Sequence, residues 1–78
     1  MVYCRLLSVD NGIAKYSIGS VISDITGVLE IDANNKTYSI EKEPENRPLY
    51  MRHVESMISR AREEIFKGDF PEKLTYEI

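Results

Sequence analysis

Apolar and polar positions alternate with a period of two over much of the first half of the chain. After Pro48 the spacing changes to three and four. A period of two is that of a strand with one buried face, and a three-to-four spacing is that of a helix lying on a core. In Val2–Val9, alternation puts Val2, Cys4 and Leu6 on one face and Tyr3, Arg5 and Leu7 on the other. Asp10-Asn11-Gly12 follows, and Asn-Gly between two strand-like runs is a strong hairpin signal. The second run, Ile13–Ile18, carries Ala14, Tyr16 and Ile18 on one face. A three-residue loop with Gly12 in the left-handed region pairs Leu6 with Tyr16 and Cys4 with Ile18. A two-residue Asn11-Gly12 turn pairs Leu7 with Tyr16 instead and swaps the faces. The first register is preferred, because it gathers Cys4, Leu6, Tyr16 and Ile18 together.

Residues 19–27, GSVISDITG, mix apolar side chains with turn chemistry at Ser23-Asp24 and Thr26-Gly27, which predicts a bend or bulge. Val28–Asp32 and Lys36–Glu41 form a second hairpin. With Asn34-Asn35 as a two-residue turn, Ile31 faces Tyr38 and Leu29 faces Ile40. Glu30, Asp32, Thr37, Ser39 and Glu41 then lie on a wet outer face. Glu41–Arg47 is a polar linker.

The helical segment is Pro48–Lys67. Tyr50, Val54, Met57, Ile58, Ala61 and Ile65 form its apolar stripe, with Met51 at one border and Arg52, Glu55, Ser59 and Glu63 opposite. Asn46 is placed to cap the first turn and Pro48 to sit within it. Gly68 supplies a left-handed terminus, and Pro71 prevents resumption. Phe70 folds back under the helix end. Leu74–Ile78 alternates again and reads as a short strand at a sheet edge or a tail that orders on contact. The predicted architecture is α+β: an antiparallel meander of three to four strands, one amphipathic helix on one face, and a possible short C-terminal strand, in a single domain over residues 1–78.

Composition narrows the classes of function. A chain of 78 residues buries a limited core, and its one cysteine, Cys4, permits neither an internal disulfide nor a cysteine-cluster metal site. A lone thiol, with no basic-then-apolar leader at the start, fits a reducing cytoplasm. No apolar run approaches a membrane span. The net charge of −3 argues against a general nucleic-acid binder.

The candidate chemistry is sparse. His53, at the shoulder of the apolar stripe, has no sequence-adjacent partner to orient it as a base. Cys4, mid-strand on the inner face, reads as a small buried hydrophobe and not as a nucleophile. The carboxylates Glu30, Asp32, Glu41, Glu43 and Glu45 lack the spacing of a calcium loop. No enzyme, cofactor or metal is therefore expected.

One polarity stands out. Residues 47–67 carry a net +2 (Arg47, Arg52, Arg60, Arg62 and Lys67 against Glu55, Glu63 and Glu64). Residues 29–46 carry a net −3 (Lys36 and Lys42 against Glu30, Asp32, Glu41, Glu43 and Glu45). Together with apolar residues surplus to one sheet face, Leu7, Val9, Ile13 and Val21, this points to a non-catalytic protein-interaction module. The partner is a protein or a second copy of the chain, and Arg52, Arg60, Arg62, Leu7, Val9 and Ile13 are the candidate contact residues. The alternative is a nucleic-acid-binding accessory domain that uses the helix arginines or the Tyr3/Arg5 strand face.

Overall fold

The computed structural model describes residues 1–77. Five strands form one antiparallel sheet: β1 (Val2–Asp10), β2 (Ile13–Gly19), β3 (Gly27–Asp32), β4 (Thr37–Lys42) and β5 (Lys73–Tyr76). Their spatial order is β4-β3-β2-β1-β5. The helical region, α1 (Met51–Arg60) followed by α2 (Arg62–Ile65), covers one face. The fold is thus α+β, with a five-strand sheet, and the C-terminal segment is a strand paired to β1; Ile78 lies outside the described residues.

The first hairpin reconciles the two registers that the sequence allows. Asp10 pairs with Ile13, so Asn11 and Gly12 form a two-residue turn, with φ of 52° and 79°. The three-residue loop does not occur. A bulge at Leu7 then shifts the pairing by one residue, so that Leu6 still meets Tyr16 and Cys4 meets Ile18. The extra residue restores the inward face that the tight turn would have turned outward.

The second hairpin has the predicted pairs, Ile31 with Tyr38 and Leu29 with Ile40. Its loop, however, spans residues 33–36, and the left-handed position is Lys36 (φ 56°), not Asn35. The Asp32 carboxylate organises this loop. It accepts hydrogen bonds from the Asn34 and Asn35 backbone amides and from Asn35 Nδ2 (2.9, 3.2 and 2.8 Å). An acid that binds amides two and three residues on closes a wider loop than an asparagine pair would. The two hairpin ends also bind each other, through Ala33 N–H to the Gly12 carbonyl (2.9 Å) and Asn34 Nδ2 to the Asn11 carbonyl (2.7 Å).

Between β2 and β3 the chain makes a 3₁₀ turn, Ile22–Asp24. It passes so close to the end of β2 that a Cβ on Gly19 would sit 2.2 Å from the Asp24 carbonyl oxygen. Asp24 is buried. Its carboxylate accepts from Thr26 Oγ1 (2.9 Å), the Asn46 amide and Nδ2 (both 3.1 Å) and the Arg47 amide (2.8 Å). This accounts for where the helix starts. Asn46 is held by Asp24 and does not cap; Tyr50, extended at φ −96° and ψ 109°, is the residue before the helix, and α1 begins at Met51 rather than Pro48. Tyr50 is accordingly 62% exposed and not part of the buried stripe. The helix is also interrupted at Ala61 (φ −99°, ψ 8°). Its end is as predicted: Gly68 has φ 92°, its amide bonds to the Ile65 carbonyl, and the Asp69 amide bonds to that of Glu64. These two bonds are the paired closure of a glycine-terminated helix.

The core contains Val54, Met57, Ile58 and Ile65 from the helical region, facing Val2, Cys4, Tyr16, Ile18, Leu29 and Ile31. Leu6, Tyr38, Ile40, Ala61 and Phe70 pack around its margin. No helix among the described residues is long and apolar enough to cross a membrane.

Candidate interaction surfaces

Strand β1 lies between two unlike environments. Its first half, Val2–Arg5, pairs with β5, and Leu6 N–H donates to the Glu72 carbonyl (2.8 Å). There the pairing stops. Pro71 has no N–H to continue a ladder, and its carbonyl turns to accept from the Tyr16 hydroxyl (2.7 Å) on the helix side. The second half of β1, residues 7–10, is left with β2 on one side and no strand on the other. Val9, opposite Ala14, is one step from the turn-closing pair, so its N–H and C=O point to the open side.

Two apolar side chains mark this edge: Leu7 is 59% exposed and Val9 49%. Ile13, across the turn from Asp10, is half-buried. These residues share the far end of the first hairpin but not one face: Ile13, next to the buried Ala14 in β2, points away from the helix, whereas Val9, opposite Ala14, lies on the helix side. Beside them a shallow groove of about 510 Å³ is lined by Val9, Phe70 and Pro71, with the acids Glu64 and Asp69 at its rim.

The helix arginines lie apart from this edge and from one another. Arg52 is exposed in the first turn of α1. The Arg60 guanidinium lies 4.6 Å from the centroid of the Tyr76 ring, a cation–π contact that ties the helix to β5. Arg62 is exposed next to Lys36, Phe66 and Lys67.

The outer sheet face, opposite the helix, carries a feature that sequence reading found only in part. Tyr3 and Arg5 of β1 stand directly opposite Thr75 and Lys73 of β5. The 3₁₀ turn overhangs them, and a notch of about 160 Å³ lies between, walled also by Ile22 and Ile25. Tyr3 and Arg5 were legible as an outward pair. Lys73 was not, because it joins them only through a strand contact spanning most of the chain.

The groups whose protonation the fold shifts lie in or beside the core and at two carboxylates, Asp24 and Asp32. Burial pushes the Cys4 thiol up to about 12, and its sulfur lies 3.7 Å from that of Met57. Burial, then the neighbouring Cys4, raises the Tyr16 hydroxyl. Burial, then Glu55, raises Tyr38. Burial alone would raise the Asp24 carboxyl, but its bonds from Arg47, Thr26 and Asn46 outweigh that and hold it below the usual aspartate range. Asp32 is lowered first by the Asn35 side chain and then by the loop amides. His53 lies between the rings of Tyr50 and Tyr76, with centroids 5.5 and 5.4 Å away. Among the described residues, no three histidine, cysteine or acidic side chains are grouped to hold a metal ion. Comparison of the chain with protein-family models, with curated proteins and with solved structures finds no match.

Proposed function

We propose that this chain is a non-catalytic protein-interaction module that receives an extended segment of its partner at the open edge of β1. The observation that carries this reading is the stretch from Leu7 to Asp10, which has β2 on one side and no strand on the other, with an outward backbone pair at Val9 and the exposed apolar side chains of Leu7 and Val9. Main-chain bonds at such an edge supply affinity, and alternate side chains entering a groove supply selectivity. Val9, Phe70 and Pro71 form the apolar part of that groove. Glu64 and Asp69 favour a partner segment that carries cations. The arginines Arg52 and Arg62 would act at long range, since exposed charges steer association more than they hold it. A reduced, buried Cys4 is in keeping with a cytoplasmic setting. A nucleic-acid role for the helix arginines has less support, because Arg60 is engaged with Tyr76 and Glu55 and Glu63 share the exposed face.

Hydrogen exchange at the Val9 amide tests the reading. A docking strand should slow that exchange several-fold. Two partners are presented: a second copy of the chain at high concentration, followed in parallel by light scattering, and a soluble peptide of alternating valine and lysine. Leu7→Asp should remove the protection in whichever arm shows it. An unchanged Val9 rate in both arms refutes the strand-edge reading, and a monomeric mass at every concentration removes the homodimer.

A further inference from the structure

The notch on the outer sheet face combines three features that the fold does not explain. The first is a like-charge pair. Arg5 and Lys73 are directly opposite on neighbouring strands, and both are exposed. Like charges in that relation destabilise a sheet. Neither has an ion-pair partner: the one pair among the described residues is Lys15 with Glu41 (3.0 Å), elsewhere on the sheet. Glu72 lines the adjoining groove with Arg5 and Lys73 but is not within ion-pair distance of either. The second is Ile22, at 73% the most exposed of the large apolar side chains among the described residues, held at the mouth of the notch by the 3₁₀ turn. The third is the space itself, about 160 Å³. A cavity of roughly 150 Å³ takes one benzene-sized ring.

We propose that this notch binds a phosphate monoester of a single-ring heterocycle, of which a pyrimidine nucleotide is the simplest example. The ring lies against Tyr3 between Ile22 and Ile25, where an aromatic face accepts any flat base. The phosphate lies over Arg5 and Lys73. Arginine offers its paired N–H groups to two oxygens and lysine adds a point charge, while Thr75, opposite Tyr3, lines the same notch. Two cations suit a phosphate monoester, which carries up to two charges, better than a carboxylate, which carries one. The bound anion offsets the cross-strand repulsion, so the site costs stability when empty and returns it when filled. Further across the same face, Glu30 and Glu41 are interleaved with Lys15 and Lys42, and Lys15 is paired with Glu41, so no basic track continues there for a phosphodiester chain. The ligand is therefore a free nucleotide or the phosphorylated end of a strand, not a strand's interior. This site is separate from the β1 edge and does not depend on the interaction reading.

Amide shifts measured during titration of the intact chain test the proposal. Uridine monophosphate should move the resonances of Tyr3, Arg5, Lys73 and Thr75. Uridine and inorganic phosphate should each bind at least about tenfold more weakly. A 5′-phosphorylated oligouridylate that binds more tightly than the mononucleotide assigns a strand end, and equal binding assigns the free nucleotide. Arg5→Gln and Lys73→Gln should each abolish the shifts while raising the thermal midpoint, since they remove the repulsion. A residue that merely supports the fold would lower it. No notch shifts at about 10 mM nucleotide, above the weakest affinity of interest, or binding that survives both substitutions, overturns the proposal.

Discussion

Ile58 and Ser59 are neighbours in sequence and opposites in environment. Ile58 is buried against the sheet, while Ser59 faces water. Ile58→Ala removes methylene groups from a packed core and leaves a cavity, so denaturant titration should show a loss of about 2–4 kcal/mol. Ser59→Ala should change little. A loss below ~0.5 kcal/mol at Ile58 would mean that the helix presents another face to the sheet. Lys36 offers a second test. It occupies a left-handed conformation that costs a side-chain-bearing residue about 1 kcal/mol. Lys36→Gly should stabilise by about that amount and Lys36→Val should destabilise, with Asn35→Gly losing the bond to Asp32. Equal effects of Lys36→Gly and Lys36→Val would contradict the four-residue loop. Cys4 predicts a pH effect. Its folded value is raised to about 12, so above pH 9 the unfolded chain releases a proton that the folded chain keeps. Stability then falls as pH rises between about 9 and 12. Cys4→Ala should shallow that alkaline limb, and a limb unchanged by the substitution would show that the thiol is not its source.

At the scale of elements, Asp24 is the residue on which the polar linker depends. A lone acid in a run of Ser, Asp and Thr reads as turn chemistry, and so it is; what the sequence does not display is that its carboxylate reaches 22 residues ahead to the Asn46 amide. This is why the bend at 19–27 was legible while the helix start was not. Asn46 had the right chemistry to cap α1, but Asp24 has a prior claim on both its amide and its side chain. The first hairpin carries a similar lesson. Its face assignment was readable from Cys4, Leu6, Tyr16 and Ile18, whereas the bulge at Leu7 was not, because periodicity weighs faces and not inserted residues. Thr26 Oγ1 donates to Asp24 and accepts from the Glu45 amide (2.8 Å). Thr26→Val should therefore cost about 1–2 kcal/mol and loosen residues 44–47, seen as faster amide exchange at Glu45. Exchange at Glu45 that stays as slow as in the parent would detach the linker from this contact. Asp24 and Asp32 both have folded values below the aspartate norm. The stability they give is complete at neutral pH and is lost as pH falls below about 4. Asp24→Asn should flatten that acid limb, and an acid limb of undiminished slope would place its origin elsewhere.

At the scale of the whole molecule, the helix carries the chain from the β4 edge of the sheet to the opposite edge, where β5 closes against β1. Sequence spacing showed an alternating C-terminal run but not its neighbour, since the choice of β1 is a contact between the two ends of the chain. That choice has energetic weight. Leu74 is buried, β5 supplies the ladder to Val2–Arg5, Tyr16 donates to Pro71, and Arg60 stacks on Tyr76. Burial of Leu74 alone is worth about 2 kcal/mol. Domains of this size have a net stability of only about 5 kcal/mol. A chain ending at Gly68 should therefore lose cooperative thermal unfolding, and a synthetic peptide of residues 69–78 added in trans should restore it in proportion to its concentration. Recovery would show directly that the exposed side of β1 accepts a strand from solution, the capacity on which the interaction reading rests. If the shortened chain instead unfolds cooperatively at the parent midpoint, β5 contributes nothing to the fold. If it stays unfolded at saturating peptide, β1 cannot recruit a strand intermolecularly, and strand addition at its remaining open residues loses its physical basis.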